Sequence, residues 1–315
     1  MRRYITRRLL QGVLILVILS MAVFVLLRIA PGGDPALLKC GLMCTTERYE
    51  KIKEDMGLND PYVVQYGSWV KQLFTGGLGK DWNGKPMADE FVSRLPVTGE
   101  LLIITIIVTV TLGIPFGIIS ALYRNTPADY NVRFFAILGL AVPSFWLATL
   151  VLLIPMQFWD YAPPLTGTVS FLDSPGDNLR QFIPPALVMG AVSAAGVMRL
   201  TRSSMLEVLR QDYIRTARSK GLRERIVIGR HALKNSLIPV VTVVGLQVAG
   251  LLGGAVIVET VFNLEGVGKY FLAALFKRDY QVAQTLTLYI GVAVVSLNLA
   301  VDILYAWFDP RIRYA

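Results

Sequence analysis

Side chains able to do chemistry are few in this sequence, and their spacing does not suit catalysis. There is one histidine, His231, and one pair of cysteines, Cys40 and Cys44. With no second Cys or His pair, the spacing of a structural zinc site is missing, as are HExxH and GxSxG. Glycine precedes lysine at Gly79-Lys80, Gly84-Lys85 and Gly268-Lys269. The next residues are Asp81, Pro86 and Tyr270, where a phosphate-cradling P-loop needs Ser or Thr. ATP hydrolysis is therefore not expected of this chain. Cys40 and Cys44 can close a local disulfide if they face an oxidising compartment; two free thiols remain the other reading.

The densest polar chemistry lies in Arg199–Pro239, which holds ten Lys and Arg, three acids and His231. Apolar spacing through Leu206, Leu209, Tyr213 and Ala217, then Leu222, Ile226 and Leu233, predicts two short amphipathic helices hinged at Gly221. Pro239 is expected to begin the next apolar segment. A basic loop lying on anionic lipid explains the charge alone. It does not explain a paired-helix pattern of this length, which favours a soluble partner.

The elements that carry this stretch are membrane spans. The chain of 315 residues is 54% hydrophobic and 17% charged, against about 25% charged in soluble domains. Apolar runs at Leu9–Leu27, Leu101–Leu122, Phe134–Phe158, Ile183–Leu200, Leu237–Phe262 and Val282–Phe308 are each long enough to cross a hydrocarbon core of about 30 Å. Met1–Arg8 supplies four arginines before the first run. That run is too long for a signal core and lacks a cleavage site, so it reads as an uncleaved span entering from the cytoplasm.

Six spans starting inside place 123–133, 201–236 and both termini in the cytoplasm. Lys and Arg are in excess on that side, as short cytoplasmic loops require. The fold class is thus an all-α polytopic membrane protein with six transmembrane helices, N-in and C-in. Residues 1–30 form the N-terminus and first span, 31–100 an extracytoplasmic region, 101–308 the remaining spans, and 309–315 a cytoplasmic tail. The net charge of +9 is divided among loops, which excludes a nucleic-acid-binding face.

Within 31–100, Thr45-Thr46-Glu47 predicts a helix start, Tyr49, Ile52 and Met56 continue it, and Gly57 stops it. Gly76-Gly77, Gly79 and Gly84 mark turns. In the spans, Gly113/Gly117, Gly190/Ala194, Ala191/Ala195 and Gly250/Gly254 put small residues on single helix faces. Such faces allow close packing within the bundle or against a second membrane subunit. Ionisable groups are nearly absent. Glu259 lies near the outer end of the fifth span. Asp302, inside the cytoplasmic end of the sixth, reads as a structural partner for a nearby arginine. An ion-coupled carrier needs more charge at mid-membrane than this.

The run Asp212-Tyr213-Ile214-Arg215-Thr216-Ala217-Arg218-Ser219-Lys220-Gly221-Leu222, with His231-Ala232-Leu233 and Asn235-Ser236-Leu237-Ile238-Pro239, resembles the permease loop of ATP-binding-cassette importers. The branch it resembles is the dipeptide/oligopeptide/nickel permease family. The wider pattern is Glu-Ala-Ala, three residues, then Gly. Here Arg215 and Thr216 replace the Glu and first Ala, while Ala217 and Gly221 fit. The longer spacing from Gly221 to Pro239 is also usual in the peptide branch. The resemblance continues at Arg7–Leu10, Pro31-Gly32-Gly33-Asp34-Pro35, Gly57–Pro61 with Gln65-Tyr66, and Gly77-Leu78-Gly79. It extends through Gly253–Ala255, Glu259–Phe262 and Arg278–Tyr280, and ends at Asp302, Tyr305 and Asp309-Pro310-Arg311.

The resemblance implies a pore subunit in a prokaryotic inner membrane, paired with a second homologous permease. Two cytoplasmic ATPase subunits, holding ATP and Mg, and an extracytoplasmic solute-binding protein would complete the importer. This chain would carry no cofactor. Asp212, Tyr213, Arg215, Thr216, Ala217, Lys220 and Gly221 would form the coupling helix that sits in an ATPase cleft. Peptides are the substrate class implied first; the family also carries glutathione, nickel complexes and some sugars, and no residue here selects among them. The alternatives are a stand-alone carrier or channel with a lipid-binding loop, and a membrane sensor or scaffold.

Overall fold

The computed structural model describes residues 2–29, 34–41, 43–75, 78–82, 84–161, 164 and 167–308, with side chains described from 5 to 302. Pro31–Gly33, Gly76-Gly77 and Asp309–Arg311, with the 309–315 tail, lie outside the described residues; Tyr305 is placed by its backbone alone. In chain order the helices are α1 Arg2–Ile29, α2 Pro35–Cys40, α3 Thr46–Asp55, α4 Tyr62–Thr75, α5 Met87–Leu122, α6 Pro127–Ala141 and α7 Ser144–Trp159. Then follow α8 Pro175–Val208, α9 Asp212–Ser219, α10 Glu224–Ile226, a π-helical turn Val227–Ala232, α11 Leu233–Val261, α12 Val267–Lys277 and α13 Tyr280–Phe308. No strand occurs among the described residues.

Five of these helical stretches are long and apolar enough to cross a membrane, and six if α6 and α7 form one bent span. The protein is thus all-helical and polytopic. The third expected span is not one straight helix: α6 and α7 meet at 105°. Pro143 cannot donate a backbone hydrogen bond, and Val142 before it is driven to extended geometry, ψ 125°. Helix α5 starts at Met87, well before the apolar run at Leu101, because polar first turns support it. Arg94 pairs with Glu90 one turn earlier, N–O 3.0 Å.

The chain forms two compact units, Met1–Pro96 with Gly266–Leu299, and Val97–Glu265 with Ala300–Tyr314. In the first, Asp34 caps α2 by accepting from Ala36 N at 2.8 Å and also accepts from the Tyr49 hydroxyl on α3. Thr45 caps α3 as expected, and Gly57 follows its end at φ +63°. A disulfide joins Cys40 to Cys44, with Cα atoms 5.3 Å apart, so the end of α2 is tied to the start of α3. Met87, Val267, Ala274, Val282 and Leu286 form a buried apolar cluster in this unit. Asp279, buried between α12 and α13, accepts from Trp82 N at 2.9 Å and Val282 N at 3.2 Å. That pins the turn near Trp82 to the start of α13.

The second unit is built around α8. A Cβ on Gly117 of α5 would lie 2.6 Å from Thr201 Cβ, and one on Gly113 would lie 2.7 Å from Val197 Cγ1. Only hydrogen at these positions lets the α5 backbone touch α8. Gly190, Ala191 and Ala195 of α8 likewise meet α5 or α6. These small residues serve packing inside the unit, whereas nothing stands within 4 Å of a Cβ added at Gly250. Buried Glu259 on α11 accepts from Thr98 Oγ1 at 2.6 Å.

Candidate functional site: an exposed helix docked on two spans

Helix α8 does not stop at Leu200 but runs on to Val208. The chain then turns through Leu209–Gln211 and enters α9. The expected first loop helix is therefore divided, its early part belonging to α8. The expected second helix is likewise absorbed. Glu224 to Val261 forms one continuous helical stretch, interrupted in hydrogen-bond register by the π turn at Val227–Ala232. Pro239 lies inside it rather than at its start. The apolar residues at Leu222, Ile226 and Leu233 keep helical spacing because they belong to the approach of a long helix.

What remains between the spans is α9, of eight residues. Ile214 and Ala217, one turn apart, are its buried residues. They enter an apolar cluster with Ala121, Met205, Val227 and Ala232, so α9 rests on the ends of α5, α8 and the π turn. Asp212, Tyr213, Arg215, Thr216 and Lys220 remain exposed. Asn235 Nδ2 donates to Tyr213 Oη at 3.0 Å and to His231 O at 3.1 Å, linking α9 to α11 and the π turn. Arg218 forms two bonds with Glu224, at 3.1 and 2.6 Å, bracing the far side of the turn.

Gly221 ends α9. Its N–H reaches Arg218 O at 2.9 Å and the next N–H, of Leu222, reaches Ala217 O at 3.4 Å. This is the paired pattern of a Schellman ending, and Gly221 takes the left-handed position at φ +76°. The expected hinge between two helices is therefore a sharp, fixed stop between a short helix and a span.

Asp212–Ser219 form α9 and Gly221 follows its end, so the residues from Asp212 to Gly221 lie together in one exposed segment. Asp302 stands half-buried on α13, and the cysteine pair belongs to the other unit. A clamp between α6 and α8 went unread. Asp129, buried at the start of α6, accepts from Arg202 Nε and Nη2 of α8 at 2.9 and 3.0 Å, from Asn125 N at 3.0 Å, and from the Ser120 hydroxyl. Its only local sign was an acid in the first turn after Thr126-Pro127.

The arrangement has the character of a mechanical joint: a helix with a small buried face, tied sideways to the following span and offering its other faces outward. The fold is that of a multi-pass, all-helical membrane protein. Residues 113–314 match the family described as binding-protein-dependent transport system inner membrane component, and residues 1–87 match its N-terminal companion. The chain belongs to that family. It is 40% identical over its full length, and that of the relative, to a putative peptide transport system permease protein of Brucella abortus. It is 39% identical, again with full coverage of both, to the oligopeptide transport system permease protein AppB of Bacillus subtilis. The dipeptide transport system permease protein DppB of Alkalihalophilus pseudofirmus is also 39% identical, with both chains fully covered. In fold it is similar to an inward-facing MetNI methionine ABC transporter, with TM-score 0.58 and 15% identity, covering 71% of this chain and 98% of that one.

Proposed function

We propose that this chain is the pore-forming permease subunit of an ATP-driven importer for peptides. The spans number six, with α6 and α7 together as the third, and both termini face the cytoplasm of a prokaryotic inner membrane. A second homologous permease completes the pore. Two separate ATPase subunits hold ATP and Mg, and an extracytoplasmic solute-binding protein delivers the peptide. The observation that carries this reading is α9, seated by two buried side chains while its remaining surface is free for a partner. The full-length identity to peptide permeases supports the substrate class.

Coupling then works through differential contact. An ATPase that closes on ATP holds α9 differently in its two states, and the difference biases the spans between inward- and outward-facing forms. Tyr213–Asn235 and the π turn transmit that bias into α11, while Asp129–Arg202 keeps α6 and α8 moving as one piece. No charge relay in the spans is required.

The test is uptake by the purified complex in proteoliposomes. Peptide accumulation requiring ATP, both ATPases and the binding protein is expected. Flux by this chain alone, driven by an ion gradient, would instead identify a secondary carrier.

A further inference from the structure

The first unit contains an open cavity of about 730 Å³, lined by the end of α1, α2 to α4, the turn near Trp82 and the start of α13. Its size falls within the range of about 300–1,000 Å³ typical of small-molecule sites. Its chemistry is unlike that of a lipid-facing groove, because Gln65, Gln72, Gln281 and Gln284 and several charged side chains line it.

Gln72 Oε1 accepts from Gln281 Nε2 at 3.0 Å. That bond leaves Gln72 Nε2 as a donor and Gln281 Oε1 as an acceptor, neither with another partner among the described residues. Gln284, only 4% exposed, accepts at Oε1 from Arg28 Nη1 at 3.4 Å. Its Nε2 is a further donor with no partner among the described residues. Gln72 and Gln281 are half-buried and open to the cavity, so their remaining donor and acceptor, with the Gln284 donor, can pair with a ligand offering both carbonyl and N–H. A peptide group offers both. Gly79 packs against the amide pair: at φ +85°, a Cβ there would strike the amide nitrogens of Gln281 and Gln72.

The rim adds charge of both signs. Lys39 and Lys80 face Asp55 and Asp60 around the cavity, and none of the four has an ion-pair partner among the described residues. Balanced charge does not suit a phosphate or a simple anion. No group of three or more potential metal-binding His, Cys, Asp or Glu side chains occurs among the described residues. Opposite charges on one rim suit a zwitterion, and Trp69 and Trp82 add apolar surface for side chains.

We infer that this cavity is a binding site for short peptides with free termini: the glutamine amides pair with the peptide backbone, and the rim lysines and aspartates hold the carboxylate and ammonium ends. It would act as a holding site at the ends of α1 and α13, separate from the solute-binding protein. This rests on the peptide-importer reading above, whose own test is ATP-driven uptake.

The probe is trialanine, added without the binding protein to the complex of this chain with its partner permease and ATPases in nanodiscs. Saturable binding is expected, weakened at least tenfold for N-acetyl-trialanine amide and at least tenfold by Gln72→Leu with Gln281→Leu. As a second arm that does not depend on that variant folding, Ser68→Cys on the cavity wall should react with a maleimide, and trialanine should slow the reaction. Absence of saturable binding together with unprotected Ser68→Cys overturns the inference. So does equal binding of the blocked peptide, which would indicate a site for a protein loop. If wild-type uptake persists in either case, only the cavity assignment fails; if uptake itself is absent, the importer reading fails.

Discussion

Asn235 and Tyr213 lie 22 positions apart, and their side chains meet at 3.0 Å where α9 crosses beside α11. The bond is exposed, so it contributes little to folding; a typical hydrogen bond nets about 0.5–1.5 kcal/mol. In the proposed coupling route its value is directional, since it would set how a push on α9 turns α11. Tyr213→Phe should leave expression and the melting temperature nearly unchanged while lowering peptide transported per ATP hydrolysed. Measured uptake and phosphate release in proteoliposomes decide this, and an unchanged ratio would remove the bond from the coupling route.

Gly221 invites a sharper test. At φ +76° any L side chain is strained by roughly 1–2 kcal/mol, and a β-branched one more. Gly221→Val should loosen the end of α9 and uncouple hydrolysis from uptake, with membrane insertion intact. Gly221→Asn should restore much of the coupling, because Asn tolerates the left-handed region. Equal loss from both substitutions would point to contact with a partner rather than backbone geometry.

The Asp129–Arg202 pair is buried on the aspartate side and bidentate. Removing one partner of such a pair leaves an uncompensated charge, at a cost of about 3–5 kcal/mol. Arg202→Ala should therefore lower the thermal midpoint of the detergent-solubilised protein markedly. The double change Asp129→Asn with Arg202→Met should recover part of it. If the double variant melts below the single one, the buried charge is not the source of the loss.

Asp279 should make the first unit sensitive to pH. Burial is the leading cause pushing its carboxyl above the usual range; the nearby Asp81 adds to this, while the bonds from Val282 N and Trp82 N and the charge of Lys39 oppose it. The folded state thus binds the proton more tightly than the unfolded chain. Its stabilising effect is complete below the ordinary aspartate pKa and is lost as pH rises through the elevated folded value. Asp279→Asn retains an acceptor and should flatten that part of the stability–pH curve, as read by thermal melts across mildly acidic to neutral pH. An unchanged curve would count against the assignment.

Cys40 and Cys44 should be joined in protein purified without reductant. Intact mass after alkylation without reduction should show no added label, and labels on both thiols should appear after reduction. Loss of the bridge should loosen α2 from α3 with little effect on the spans.

Much of the fold was legible because its signals are local. Long apolar runs fix where a chain can sit in hydrocarbon, where every backbone group must be paired within a helix. Thr45 and Gly57 marked the ends of α3 through capping chemistry, and Gly221 marked the end of α9. Spacing predicted a first helix from Leu206 through Ala217 broken at Gly221; its later part, from Asp212, stands as α9, and Gly221 lies just past its end.

Tertiary structure decided the rest. Hydropathy measures length but not direction, so the 105° bend at Val142-Pro143 stayed hidden within an apolar run. Helical spacing does not tell a short surface helix from the end of a long one, so α8 and α11 took up much of the expected loop. Asp129 and Arg202, 73 positions apart, pair only because α6 packs against α8. Gln72 and Gln281, 209 apart, meet only because α4 reaches the start of α13. The chain specified a membrane protein with a joint between two spans. Which side chains brace that joint, and which amides share a cavity, followed from packing, since burial alone gives distant polar groups a reason to find one another.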